Sequence, residues 1–412
     1  MKLFRNFLWL IVVLLILQVI KVVLSRLHFP AASLGEIIVG CSQFLLLLGA
    51  VFITVFAWIV RRFFKFRKPF YTGVLVFAGW MVLLESLFAW WMHSPARMPY
   101  CLRPSFAWYY DYYMEDLLQF DPRYAVYNSD LFYTMKPDAA FRFQNIEFDD
   151  LFQTNRLGLR DHDSSLLAPE IACIGDSYTT GWGVGQEESF PARLRTLSGL
   201  RVLNMGVPSY GTAREIINLG RVDTSRLRWI ILQYCTNDLS ENETAGKSNY
   251  TLPISSHAEY DQLVREVAFS RVYFPGKYSL IIMNFFLKSL INRIHPFFNL
   301  HWDRKDGLQG QERQAKLFLD ILYHSAIDFK KTGVVVTMMD DCENMKGVFL
   351  SEVKHISGES PYRERFGDRL KVINIAPLLG PEDLYLLDMH FKASGQDKIA
   401  RAILDSIKGN GW

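Results

Sequence analysis

The sequence predicts an α/β fold, a three-layer α/β/α sandwich with a five-stranded, mainly parallel sheet, preceded by three transmembrane helices. Two observations predict it. Apolar runs at 171–175, 201–205, 229–235, 333–339 and 370–376 alternate with stretches of helical period, the pattern of a parallel sheet covered on both faces. Before them, residues 1–95 are dominated by long apolar segments, whereas the remainder has ordinary globular composition.

The 412 residues exceed one average domain, and a net charge of +3 is too mild to argue for a nucleic-acid partner. Three stretches, about 7–24, 37–60 and 70–92, approach the roughly 20 apolar residues that span a bilayer. Lys2 and Arg5 precede the first, and Arg61, Arg62, Lys65, Arg67 and Lys68 separate the second from the third. The positive-inside rule puts both groups in the cytoplasm, so three crossings leave everything after Met92 on the outer side. Trp90 and Trp91 suit an interfacial aromatic belt at that exit. The first stretch also admits a signal-peptide reading, with Ala31-Ala32 near a cleavage site, but its apolar core is longer than that reading favours. Both readings export the C-terminal part. Glu85, inside the third stretch, is either functional or a carboxyl turned into a helix bundle.

Residues 96–160 are expected to connect the 1–95 anchor to a domain at 161–412. Up to about 150 they are rich in Tyr, Phe, Asp and Pro with no sustained helical period, which predicts short strands packed on that domain. Flavodoxin-like alternation follows, with helices expected at Glu188–Leu197, Ala213–Leu219 and Glu312–Lys331. The interval 240–310 reads as an insertion. Within it Tyr278–Ile294 is amphipathic, with Leu280, Met283, Leu287, Leu290 and Ile294 on one face. Such a helix buries that face on its own domain, covers a substrate, or rests on a membrane. Cys41 falls in a membrane segment and Cys173 and Cys235 in core strands, leaving Cys101 and Cys342 as the one pair open to an exported disulfide. No Cys/His cluster has metal-ligand spacing, and neither a metal nor another cofactor is expected.

Chemistry-bearing residues fall where predicted strands end. Ser177 follows the first strand in Gly175-Asp176-Ser177, Gly206 the second and Asn237 the third, while Asp388 and His390 lie between the fifth strand and a terminal helix. A doubly wound sheet gathers its strand C-termini along one edge, so these positions can converge. Serine as nucleophile, histidine as base and aspartate as orienting group make an acyl-transfer triad. The Ser177 and Gly206 amides and the Asn237 side chain are candidate oxyanion donors. Singly, each has a plainer reading: a turn glycine, a helix cap, a packed histidine. The glycine-rich 181–185 lacks the Gly-Lys-Ser/Thr of a phosphate loop. Ser177 also lacks the Gly-x-Ser-x-Gly pentad of an α/β-hydrolase elbow.

These residues resemble the four blocks of the SGNH hydrolase superfamily, the GDSL-like esterases, with Ser177, Gly206, Asn237 and His390 in order and in strand context. Asn155-Arg156-Leu157-Gly158-Leu159-Arg160 also resembles the lead-in of exported bacterial members. The resemblance covers about 150–410. Tyr178 stands where the signature has leucine, and one residue separates Asp388 from His390 where many members have two. What the resemblance and topology together imply is a serine esterase anchored in the inner membrane by several spans, with its catalytic domain periplasmic. It would remove O-acetyl or short acyl groups from an envelope glycan. The alternatives are an O-acyltransferase working beside a membrane acyl-donor partner, a lipid esterase, and a non-catalytic glycan-binding module.

Overall fold

A computed structural model describes residues 49–50, 52–56, 58–59, 62, 69–94, 97–113, 117–294, 308–339 and 347–408. The chain divides into two compact units, Met1–Asp116 with Arg265–Leu300, and Leu117–Val264 with His301–Trp412.

In the first unit, Pro69–His93 is a single helix, and its Tyr71–Met92 stretch of 22 residues, mean hydropathy 1.8, is long and apolar enough to cross a membrane. It is the one such helix among the described residues. The expected span 7–24 and most of 37–60 lie outside those residues. Leu75, Val82 and Leu83 are exposed along the helix. Glu85, by contrast, is buried and accepts from the N–H and hydroxyl of Ser279, each at 2.8 Å, and from the Tyr278 N–H at 3.3 Å. These are first-turn donors of the helix Lys277–Ile294, which lack partners within the helix. Glu85 therefore acts as a cap supplied from a neighbouring helix.

Among the described side chains of the helix Lys277–Ile294, Leu280, Ile281 and Ile282 are buried together with Lys277 and Ser279, and Met283 is half-buried; Leu287, Leu290 and Ile294 of the expected stripe lie outside the described side chains. Ile281 packs with Tyr109 and Tyr113. Tyr109 belongs to a helix, Arg103–Tyr112, where the aromatic-rich sequence shows no helical period. Aromatic burial, not a regular apolar stripe, holds that segment helical.

The second unit opens with two antiparallel hairpins. Strand β1 (Ala125–Asn128) pairs with β2 (Phe132–Met135), and β3 (Ala140–Gln144) with β4 (Asp149–Gln153). The main sheet then forms from β5 (Ile171–Ile174), β6 (Val202–Asn204), β7 (Trp229–Tyr234), β8 (Gly333–Met338) and β9 (Leu370–Val372). All five strands are parallel, in the order β6-β5-β7-β8-β9. The direction of winding reverses between β5 and β7, which opens a crevice beyond their carboxyl ends.

Alternation along each strand explains the two layers of helix. Ile171, Cys173, Ile231 and Val335 point to one face and meet Phe190 and Leu194 of the helix Phe190–Ser198 and Ile399, Ile403 and Ile407 of Ala393–Lys408. Ala172, Ile174, Leu232, Val334 and Val336 point to the other and meet Leu219, Phe318, Leu322, Phe349 and Val353. Strands buried on both faces must be apolar throughout, which is why they read as unbroken runs. The helix expected at Glu312–Lys331 spans Leu308–His324 instead. The Ser325 hydroxyl donates back to Leu322 O at 2.6 Å, and Asp328 Oδ1 accepts from Lys330 N, local bonds that compete with further helix. Among the described residues Cys173 and Cys235 are buried and Cys101 is exposed, none of them in a disulfide, and Cys41 and Cys342 lie outside the described residues.

Candidate active site

The turn that carries Ser177 is fixed by side chains around it. A Cβ at Gly175 would lie 2.2 Å from Thr179 Oγ1 and 2.3 Å from Gln233 Oε1, so only glycine lets β5 approach them this closely. Gln233, on β7, accepts from Asp176 N at 2.9 Å and from the Thr179 hydroxyl at 3.0 Å. Asp176 caps the short helix Ser177–Thr180 by accepting from Tyr178 N at 3.0 Å. Ser177 thus sits at the first helical position, where its own N–H is not consumed by the helix. Arg160, buried within the expected lead-in, donates to the carbonyls of Gly181 at 2.5 Å and Val184 at 2.7 Å, holding the segment after that helix. Burial of the guanidinium lowers its pKa to about 10.

Ser177 Oγ lies 2.8 Å from His390 Nε2, and His390 Nδ1 lies 2.5 Å from Asp388 Oδ1. An ionised carboxylate only accepts, so Nδ1 carries the proton and Nε2 is left to accept from the serine hydroxyl. The imidazole lies beside the Tyr178 ring, 4.3 Å between centroids, and the Trp182 ring, at 5.5 Å. The Asp388 side chain is largely covered, 7% exposed, which alone would raise its pKa. Attraction to His390 when its ring is protonated, together with the hydrogen bonds from His390 and Trp182, outweighs burial and holds the carboxyl below its usual range. Ser177, 213 residues from His390 in sequence, is thereby joined to the neighbouring pair Asp388 and His390 in one hydrogen-bonded chain.

Gly206 and Asn237 are also brought to this turn. A Cβ on Gly206 would lie 2.3 Å from Thr180 N and 2.6 Å from Thr179 C, so the segment after β6 packs directly on the helix Ser177–Thr180. The Gly206 N–H donates to Asn204 Oδ1 at 3.0 Å. Asn237 is exposed and does not cap the helix Asp238–Lys247 that it precedes; its Nδ2 donates to Asp176 Oδ2 at 3.2 Å. That bond uses one of the two hydrogens of the side-chain amide.

Behind the turn lies a buried acidic layer. Asp176 has its pKa raised by burial, opposed by Tyr178 N–H, His390 and Asn237. Asp238 is raised well above its usual value by burial and by Asp176, and Glu215 by burial and by Asp238. Both Glu215 oxygens lack a hydrogen-bond partner, so the protonated carboxyl is the form this site accepts. Among the described residues no group of three or more His, Cys, Asp or Glu is arranged to hold a metal ion.

Sequence reasoning missed four residues here: Gln233 beneath the turn, Trp182 beside His390, and Asn145 and Glu147 on the β3–β4 turn next to Asp388. Only Trp182 carried a sequence signal, its place in the glycine-rich segment after Ser177.

Residues 173–309 match the GDSL-like Lipase/Acylhydrolase family. A solved structure from Desulfitobacterium hafniense DCB-2, of a protein assigned to the lipolytic G-D-S-L family, is similar at 14% identity. The match covers 56% of this chain and 98% of that one, with a TM-score of 0.25. No curated protein matches the sequence.

Proposed function

Because the chain carries a GDSL-like lipase/acylhydrolase domain of the SGNH hydrolase superfamily, and is an ester-bond hydrolase of that type, we propose that Ser177, His390 and Asp388 are its catalytic triad. Ser177 Oγ attacks the ester carbonyl while His390 Nε2 takes its proton. Asp388 stabilises the imidazolium, which then protonates the leaving alcohol. Water, activated by the same imidazole, releases the acid and restores Ser177. The Ser177 N–H and the Asn237 amide receive the developing oxyanion, and the Gly206 N–H joins them by exchanging Asn204 Oδ1 for it. The observation that carries this reading is the pair of contacts at 2.8 and 2.5 Å linking the three side chains.

The substrate in this reading is an O-acetyl or short acyl ester on an envelope glycan, met on the periplasmic side of the inner membrane. The basic residues at 61–68, flanked by apolar stretches, and the apolar helix ending near Trp90 and Trp91 support that orientation. The experiment is product analysis with the detergent-purified full chain, O-acetylated glycan and an unmodified acceptor glycan. Stoichiometric free acetate is expected. Acetyl groups appearing on the acceptor would instead make the protein a transferase, and no loss of acetyl from the donor would remove the glycan from the reading.

A further inference from the structure

The Asp388–His390 pair is arranged by a part of the chain remote from both. Glu147, in the turn between β3 and β4, accepts from three successive backbone N–H groups: Leu386 at 3.0 Å, Leu387 at 2.7 Å and Asp388 at 3.0 Å. Successive amides converging on one anion form a nest, which fixes the backbone that supplies them. From the same turn, Asn145, buried, donates Nδ2 to Asp388 Oδ2 at 2.7 Å, and Trp182 Nε1 donates to that oxygen at 3.2 Å. Asp388 therefore has one oxygen held by two neutral donors and the other turned to His390 Nδ1. The loop closes with Tyr385 N donating to His390 O at 2.9 Å.

Resting on the triad reading above, we propose that Glu147 and Asn145 are positioning residues for the reaction, setting the Asp388 backbone and the rotation of its carboxylate so that Oδ1 faces His390. A one-residue spacer gives two neighbouring side chains little freedom to find each other. Here the intervening Met389 takes φ 67°, a left-handed conformation that a non-glycine residue seldom keeps without support. The hairpin supplies that support. Were Glu147 only an anchor for the loop, nothing would require its partners to include the Asp388 N–H, or Asn145 to reach the carboxylate itself.

The test uses the full chain in detergent, with Glu147→Ala, Glu147→Gln and Asn145→Ser assayed on p-nitrophenyl acetate beside Ser177→Ala. In Glu147→Ala and Asn145→Ser, kcat is expected to fall about ten- to a hundredfold, with KM within about twofold. The acid limb of the kcat/KM profile should move to lower pH, because a misplaced carboxylate supports the imidazolium less. Glu147→Gln, which keeps an acceptor for the nest, should recover most of kcat. Wild-type kcat and an unmoved acid limb in both truncations, whatever their Tm, overturn the proposal. A fall in kcat with an unmoved acid limb and no recovery in Glu147→Gln overturns it too, as general loosening. Asn145→Ser, the milder change, decides the matter should Glu147→Ala not fold. Activity surviving in Ser177→Ala would remove the triad reading itself, whereas activity lost there but kept in both truncations contradicts only the positioning role.

Discussion

His390 Nδ1 lies 2.5 Å from Asp388 Oδ1 although a single residue, Met389 at φ 67°, separates them in the chain. The left-handed turn at Met389 brings the two neighbouring side chains together, and the second carboxylate oxygen is satisfied separately by Asn145 and Trp182. The one-residue spacing is therefore a closed local structure.

Asp388→Asn should keep the fold and lose most of the turnover. An amide can present its N–H₂ to His390 and favour the tautomer that carries a proton on Nε2, which cannot accept from Ser177. A drop in kcat of about ten-thousand-fold is expected. Steady-state kinetics on p-nitrophenyl acetate checks it; a loss under tenfold would mean that Asp388 does not set the tautomer.

Asn237→Ala removes a proposed oxyanion donor and a donor to Asp176. We expect kcat to fall about a hundred- to a thousandfold while KM changes little, since the donor acts on charge that develops in the transition state. The contrary result is a rise in KM with kcat preserved, which would make Asn237 a ground-state contact.

Gly206→Ala forces a methyl against Thr180 N, a backbone atom 2.3 Å from the new Cβ. Overpacking of this kind costs about 1–3 kcal/mol, and the displaced element carries Ser177. Lower Tm and lower kcat should appear together. A variant with lowered Tm and full kcat would show that the turn relaxes without moving the nucleophile.

Glu215→Gln should change how stability depends on pH. The folded chain holds the Glu215 proton above the usual value of 4.5, while the unfolded chain releases it there. Wild-type stability from this group is complete below about that pH and declines as pH rises toward the folded value, with a limiting slope of about 1.4 kcal/mol per pH unit. The variant lacks this decline, so its Tm relative to wild type should grow from pH 4.5 to 7.5. A constant difference across that range would show that Glu215 is ionised when folded.

Much of the second unit is legible in its residues. Ile171-Ala172-Cys173-Ile174 reads as a strand because a parallel strand covered on both faces has no polar position to spare. Ser177, Asn237 and His390 are legible because they follow such elements, and sheet topology gathers those ends. Asn145 was not legible, because it lies 243 residues from Asp388 on a turn that nothing local ties to the site. The bond between Gly206 N–H and Asn204 Oδ1 was equally hidden, since strand-end position says nothing about which acceptor an amide has already found. The helix Arg103–Tyr112 escaped because its aromatic residues carry no period and are ordered by burial.

The most direct measurement is covalent labelling of the full chain with a fluorophosphonate, followed by peptide mapping, alongside p-nitrophenyl acetate hydrolysis by Ser177→Ala. The expected result is a single adduct on Ser177, with both labelling and hydrolysis lost in the variant. Undiminished hydrolysis by Ser177→Ala, or an adduct on another serine, would contradict the assignment of Ser177 as the nucleophile.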